Sequence, residues 1–129
     1  MKTSLTLAIL GGYNALMGAI MLVVPGEMGK AAIGEANAAD PKLLELASNF
    51  HSGLAPALLM IGLTCLFIRK ASIETAKQAL LAYIIGTAVL LGVFFGVMAN
   101  STVMQFSIEM AAPDILAILL AIYGYAKAK

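Results

Sequence analysis

Apolar residues along this chain fall into four long runs separated by short polar stretches, and no segment shows the strict alternation of a half-buried strand. The first run extends from Leu5 to Val24 and meets Pro25-Gly26, a pair that cannot continue a helix and favours a turn. An outer connection, 25–40, follows. Its Met28, Ala31, Ala32 and Ile33 are too few to cross a bilayer and fit a short helix lying at the interface. Asp40-Pro41 then reads as an N-cap residue with proline at the first helical position, which places a second helix at 41–68. Pro56 is expected to kink that helix, because it removes one backbone hydrogen bond and crowds the preceding turn. Arg69-Lys70 stop it, and Ser72 caps a third helix over 73–100. The fourth, with Pro113 inside it, is placed at 103–125. The link Asn100-Ser101-Thr102 is short, so helices three and four form an antiparallel hairpin. Each run reaches the roughly 20 residues that one crossing needs. The expected fold is all-α: an integral membrane, antiparallel four-transmembrane-helix bundle forming a single membrane domain over 1–129.

Composition sharpens that picture. Of the 129 residues 61% are hydrophobic and 12% charged, with a mean hydropathy of +0.95. A soluble domain carries about 25% charged residues, so this chain lacks the polar surface to cover a water-soluble globule. The run from Leu5 exceeds the apolar stretch of about 7–15 residues in a secretory signal, and no small-x-small cleavage site follows, so an uncleaved first span is expected. Net charge is +1 without basic clusters, which leaves no nucleic-acid argument.

The distribution of charge sets an orientation. Lys2, Arg69, Lys70, Lys77, Lys127 and Lys129 fall on one side, and only Lys30 and Lys42 on the other. Cytoplasmic segments carry the excess of Lys and Arg, so both termini are expected in the cytoplasm, with the chain in a bacterial cytoplasmic (inner) membrane. Of the seven acids, only Glu74 joins the basic side.

Candidate chemistry lies with polar residues at membrane depth, where they are costly. At about 1.5 Å per residue, Asn14, His51 and Asp114 each come roughly 15–18 Å from their own surface, near the middle of a core about 30 Å thick. Each shares a helical face with small residues. Gly11 and Gly18 flank Asn14, Ala47 and Ala55 flank His51, and Ala117, Ala121 and Gly124 follow Asp114. Small residues mark close helix contacts in lipid, so these polar groups belong to packing faces. Tyr83 and Thr87 are placed to complete the layer. It is either a binding site with a titratable His51–Asp114 pair or interhelical polar glue, and both readings stand. Glu45, Asn49 and Glu109 form a second, higher set at the outer mouth, with Gln105 one turn before Glu109.

Other residues carry less. Cys65 is a lone thiol in an apolar run, which excludes an internal disulfide or a cysteine metal cluster. One histidine without a spaced partner is no zinc pattern, so no metal is expected. The eight methionines are scattered and form no thioether motif for copper. Ala88, Gly92 and Gly96 repeat at four-residue spacing, fit either for packing inside the bundle or against a second copy.

The layout resembles the DoxX-like group of small bacterial four-helix membrane proteins. The features that carry the resemblance are the Gly-rich first helix closing with Val24-Pro25-Gly26, the short outer segment with Ile33-Gly34, and the polar-then-glycine start of helix two, Asn49 to Gly53. Some members of that group are linked to quinone-dependent oxidation or redox-stress complexes, which implies a quinone or membrane partners here; members often carry Arg where this chain has Asn49 or His51. With no nucleotide motif and no catalytic set, the favoured function is a non-enzymatic subunit or helper of a larger membrane complex that binds a lipid or quinone, as a homo-oligomer or with other membrane subunits. The alternatives are a small proton-coupled transporter using His51 and Asp114, and a membrane oxidoreductase subunit.

Overall fold

The computed structural model describes residues 2–128; Met1 and Lys129, the latter counted above among the inner cations, lie outside the described residues. The described residues form five α-helices, α1 (Lys2–Val23), α2 (Pro25–Ala38), α3 (Pro41–Ile68), α4 (Ile73–Gly96) and α5 (Ile108–Ala126), with a 3-10 turn at Met98–Asn100 after α4. All but α2 are long and apolar enough to cross a bilayer, and no strand occurs among the described residues. The chain is an all-α, multi-pass membrane bundle.

The helix starts follow the capping chemistry. The Asp40 carboxylate accepts from the Lys42 amide at 2.9 Å, and the Ser72 hydroxyl from the Thr75 amide at 3.3 Å. α3 runs through Pro56 as one helix. Two boundaries depart from the sequence reading. Pro25-Gly26 is the first turn of α2 and not a reverse turn: after a break at Val24 (φ −130°, ψ 55°), Pro25 occupies a first-turn position where its missing N–H costs nothing. The fourth span begins at Ile108 rather than at 103. Residues 101–107 cannot be helical because their backbone groups are engaged elsewhere. The Ser101 hydroxyl accepts from the amides of Val103 (3.2 Å) and Met104 (3.0 Å), and the Gln105 amide donates to the Ala32 carbonyl at 2.8 Å. The link between spans three and four is therefore a seven-residue loop docked on α2, and Gln105 lies in that loop and not one helical turn before Glu109.

Small residues decide how the spans pack. A Cβ placed on Gly11 would stand 2.8 Å from the Gly62 carbonyl oxygen, and one on Gly18 would stand 2.9 Å from that of Ala55. α1 and α3 thus approach backbone to backbone along Gly11, Gly18, Ala55 and Gly62, the close fit that drives association where lipid supplies no hydrophobic force. At Gly124 the Thr6 side chain of α1 packs where a Cβ would stand on α5, and the Thr3 hydroxyl donates to the Gly124 carbonyl at 3.3 Å. α2 lies on α3 through Gly29, which abuts Ala47 and Ser48. At the end that carries the termini the Lys77 ammonium sits 5.0 Å over the Tyr125 ring, tying α4 to α5.

These contacts order the spans as α3, α1, α5, α4. α1 packs chiefly on α3 and, less extensively, on α5 and α4, and α4 packs on α5. α3 and α4, although joined by a tight turn, scarcely touch. Leu7, Leu10, Cys65, Ala76, Leu80, Ala117 and Ala121 fill the half nearer the termini as one buried cluster. The opposite half, between α3 and α4, is hollow.

Candidate functional site: a cavity between α3 and α4

The hollow has a volume of about 750 Å³. Its back wall is α1, with Tyr13, Asn14, Met17 and Met21. One side wall is α3, through Phe50, His51, Leu54, Leu58 and Ile61; the other is α4, through Ala82, Tyr83, Gly86, Thr87, Leu90 and Phe94. Met28 and Ala32 of α2 and Met104–Phe106 of the docked loop close the end away from the termini. The loop is pinned there. The Asn37 side chain donates to the Ile33 carbonyl (3.0 Å) and the Val103 carbonyl (2.9 Å), and the Phe106 ring meets Phe95 edge-on at 5.3 Å. Gly34, at φ 77° and ψ 163°, is the residue that lets α2 bend beneath the loop, a conformation essentially reserved for glycine.

The cavity opens sideways. Leu54, Ile61, Leu90 and Val93 line it yet keep 38–40% exposure, and they belong to the two helices that fail to meet. Since α3 and α4 both span, the gap between them faces hydrocarbon.

All five residues of the polar layer, Asn14, His51, Tyr83, Thr87 and Asp114, line this one cavity. Asn14 is 5% exposed, and its side-chain amide donates to the Leu10 carbonyl at 2.9 Å and to the Tyr83 hydroxyl at 2.8 Å. The Leu10 carbonyl can only accept, so the amide nitrogen must face it and the Asn14 oxygen is left to other partners. His51 is buried with Nδ1 2.7 Å from the Ala47 carbonyl, which likewise requires the proton on Nδ1. Phe50 meets the His51 ring edge-on at 5.8 Å.

Asp114 lies six residues, about 9 Å, into α5, closer to the helix start than the expected boundary at 103 implied. It is part-buried on the cavity wall and, among the described residues, makes no side-chain hydrogen bond and no ion pair within 4 Å; a direct His51–Asp114 pair is thus not formed. Glu45, Asn49 and Glu109 are exposed and lie off the cavity lining. No group of three or more His, Cys, Asp or Glu is disposed to hold a metal ion among the described residues.

One feature escaped the reading of the sequence. Six of the eight methionines, Met17, Met21, Met28, Met98, Met104 and Met110, line the cavity. They arrive from α1, α2, the 3-10 turn, the loop and α5, so no spacing in the chain could have revealed the convergence. Flexible, polarizable thioethers suit a wall that must adapt to different shapes. Comparison with family models, with curated proteins and with solved structures returned no match.

Proposed function

We propose that this chain is a non-enzymatic, multi-pass subunit or helper in a bacterial cytoplasmic membrane, with both termini on the cytoplasmic side, that holds a single amphiphile such as a lipid or quinone in the cavity between α3 and α4. The observation that carries this reading is the cavity itself. Its volume of about 750 Å³ falls in the range of roughly 300–1,000 Å³ typical of small-molecule sites, and its mouth faces the lipid phase. Apolar and aromatic walls suit a chain or ring, and the polar cluster of Asn14, His51, Tyr83, Thr87 and Asp114 suits a head group. The resemblance to the DoxX-like group, with its links to quinone-dependent oxidation, points the same way.

Purification in a gentle non-ionic detergent, followed by mass spectrometry of the extract, tests the proposal. An amphiphile is expected at near one-to-one stoichiometry, together with a stoichiometric membrane partner or further copies of the chain. Gly86 lines the cavity with open space over its Cα, so Gly86→Phe should fill the site and release the amphiphile without disturbing the helix contacts. A ligand-free monomer, or full retention of the amphiphile by Gly86→Phe, would overturn the reading.

A further inference from the structure

The hydrogen-bonding state of the polar cluster specifies the head group, on the premise that the cavity holds an amphiphile. Asn14 has committed both amide hydrogens, to Leu10 and Tyr83, and offers only its oxygen. His51 Nδ1–H is engaged by the Ala47 carbonyl, so Nε2 is the ring nitrogen left to the cavity, and in the neutral form of the ring it offers a lone pair. Asp114 offers carboxylate oxygens that no described residue occupies. Asn14 and the neutral form of His51 are therefore acceptors, and the Asp114 carboxylate is a third. Tyr13, Tyr83 and Thr87 add hydroxyls, which can both donate and accept, and Gln105 adds an amide. Among the described residues no Lys or Arg lines the cavity, and Asp114 is its one carboxylate. A part-buried carboxylate beside hydrocarbon calls for a cation or a proton, and the described lining carries no permanently charged cation. Aromatic rings of Tyr13, Phe50, Tyr83 and Phe94 surround the same space, where their faces favour a positive charge.

We infer that the cavity is built for a lipophilic monocation that carries N–H donors: a long-chain primary ammonium, entering between α3 and α4, with its head at Asp114 and its chain against the Met- and Phe-rich walls. Charge selects the cation, and the acceptors of Asn14 and His51 select a head with N–H groups over one that is fully alkylated.

Binding of radiolabelled dodecylammonium to the full chain in nanodiscs of zwitterionic lipid, at neutral pH, tests this. Dodecyltrimethylammonium supplies charge without N–H groups, dodecanol a donor without charge, and decylubiquinone a neutral acceptor head. Dodecylammonium should bind most tightly. Asp114→Asn should weaken it by about ten- to a hundredfold, as expected for loss of one charge-assisted hydrogen bond, and should change dodecanol by no more than about twofold. Asp114→Glu should retain binding. Because the Asp114 side chain bonds to no described residue, both variants should keep the parent helix content and melting temperature. Dodecylammonium binding that survives Asp114→Asn unchanged would overturn the inference. Equal binding of the trimethylated analogue would overturn the role assigned to Asn14 and His51. If decylubiquinone or a phospholipid occupies the cavity and dodecylammonium does not, the inference falls and the amphiphile reading stands; if no amphiphile binds, both fall.

Discussion

Replacing Gly62 by alanine should separate α1 from α3, and the structure sets the size of the effect. A Cβ at Gly62 would collide with the Ala15 backbone nitrogen and stand 2.7 Å from the Gly11 carbonyl oxygen. Ordinary contact begins near 3.4 Å, and backbone atoms cannot swing away as a side chain can, so one helix must move as a body. Overpacking of this kind costs about 1–3 kcal/mol. Alanine also raises helix propensity over glycine by about 1 kcal/mol, which would blur the result if Gly62→Ala were read alone. Gly92→Ala provides the comparison. It is the same chemical change in an apolar span, with nothing within 4 Å of the new Cβ. The propensity gain is common to both, so the difference between them isolates the helix contact: Gly62→Ala should be less stable than Gly92→Ala by about 1–3 kcal/mol. Denaturation in mixed micelles by titration with a harsh detergent, followed by circular dichroism, measures it. Because α1 is the back wall of the cavity and α3 one of its sides, Gly62→Ala should also loosen amphiphile binding, whereas Gly92→Ala should not. Equal stability of the two variants would refute the argument that backbone approach along the Gly11–Gly62 seam positions the cavity walls.

Four further outcomes are expected. A double-mutant cycle on Asn14→Leu and Tyr83→Phe should give a coupling of about 0.6 kcal/mol and no more than about 1.7, the range for hydrogen bonds between membrane helices; zero coupling would remove the 2.8 Å bond as a link between α1 and α4. Gly34→Ala should cost about 1–3 kcal/mol through its backbone angles and crowd the Gln105 side chain, so hydrogen exchange at the Gln105 amide should accelerate; unchanged protection would show that the loop does not depend on this bend. A reporter active only in the cytoplasm should be active when fused after Lys129 and silent when inserted at Gly34, and the reverse pattern would invert the topology. The last concerns Lys30, whose ammonium lies 2.9 Å from Glu35. That hydrogen bond and charge raise its pKa above the ordinary 10.5, so the pair's contribution is complete below that value and is lost as pH rises through the raised one. Both side chains are well exposed, so Lys30→Ala should leave the melting temperature unchanged near neutral pH; a clear drop would show that the pair matters more than its exposure allows.

The chain by itself determined the solvent, the number of spans and the faces that pack. Four apolar runs of bilayer length are a property of composition, and Gly11, Gly18, Ala55 and Gly124 mark close contacts because only small residues let backbones meet in lipid. The caps at Asp40 and Ser72 are local chemistry and were legible for that reason. The start of the fourth span was not. Residues 103–107 are apolar enough to extend a helix, and it is the Ser101 hydroxyl, the Asn37 side chain and the Ala32 carbonyl, the last two more than sixty residues away in the chain, that engage their backbone instead. The distance of Asp114 from its helix start changed with that boundary, because a count along the helix carries any error in the starting point. The cavity was equally beyond the sequence. A tight turn between α3 and α4 suggests that they pack together, yet the glycine seam of α1 draws α3 to itself, and residues of both helices, Leu58 and Phe94 among them, line the gap left between them. Which helices stay apart depends on which contacts are closest, and that competition is settled only when every helix is in place.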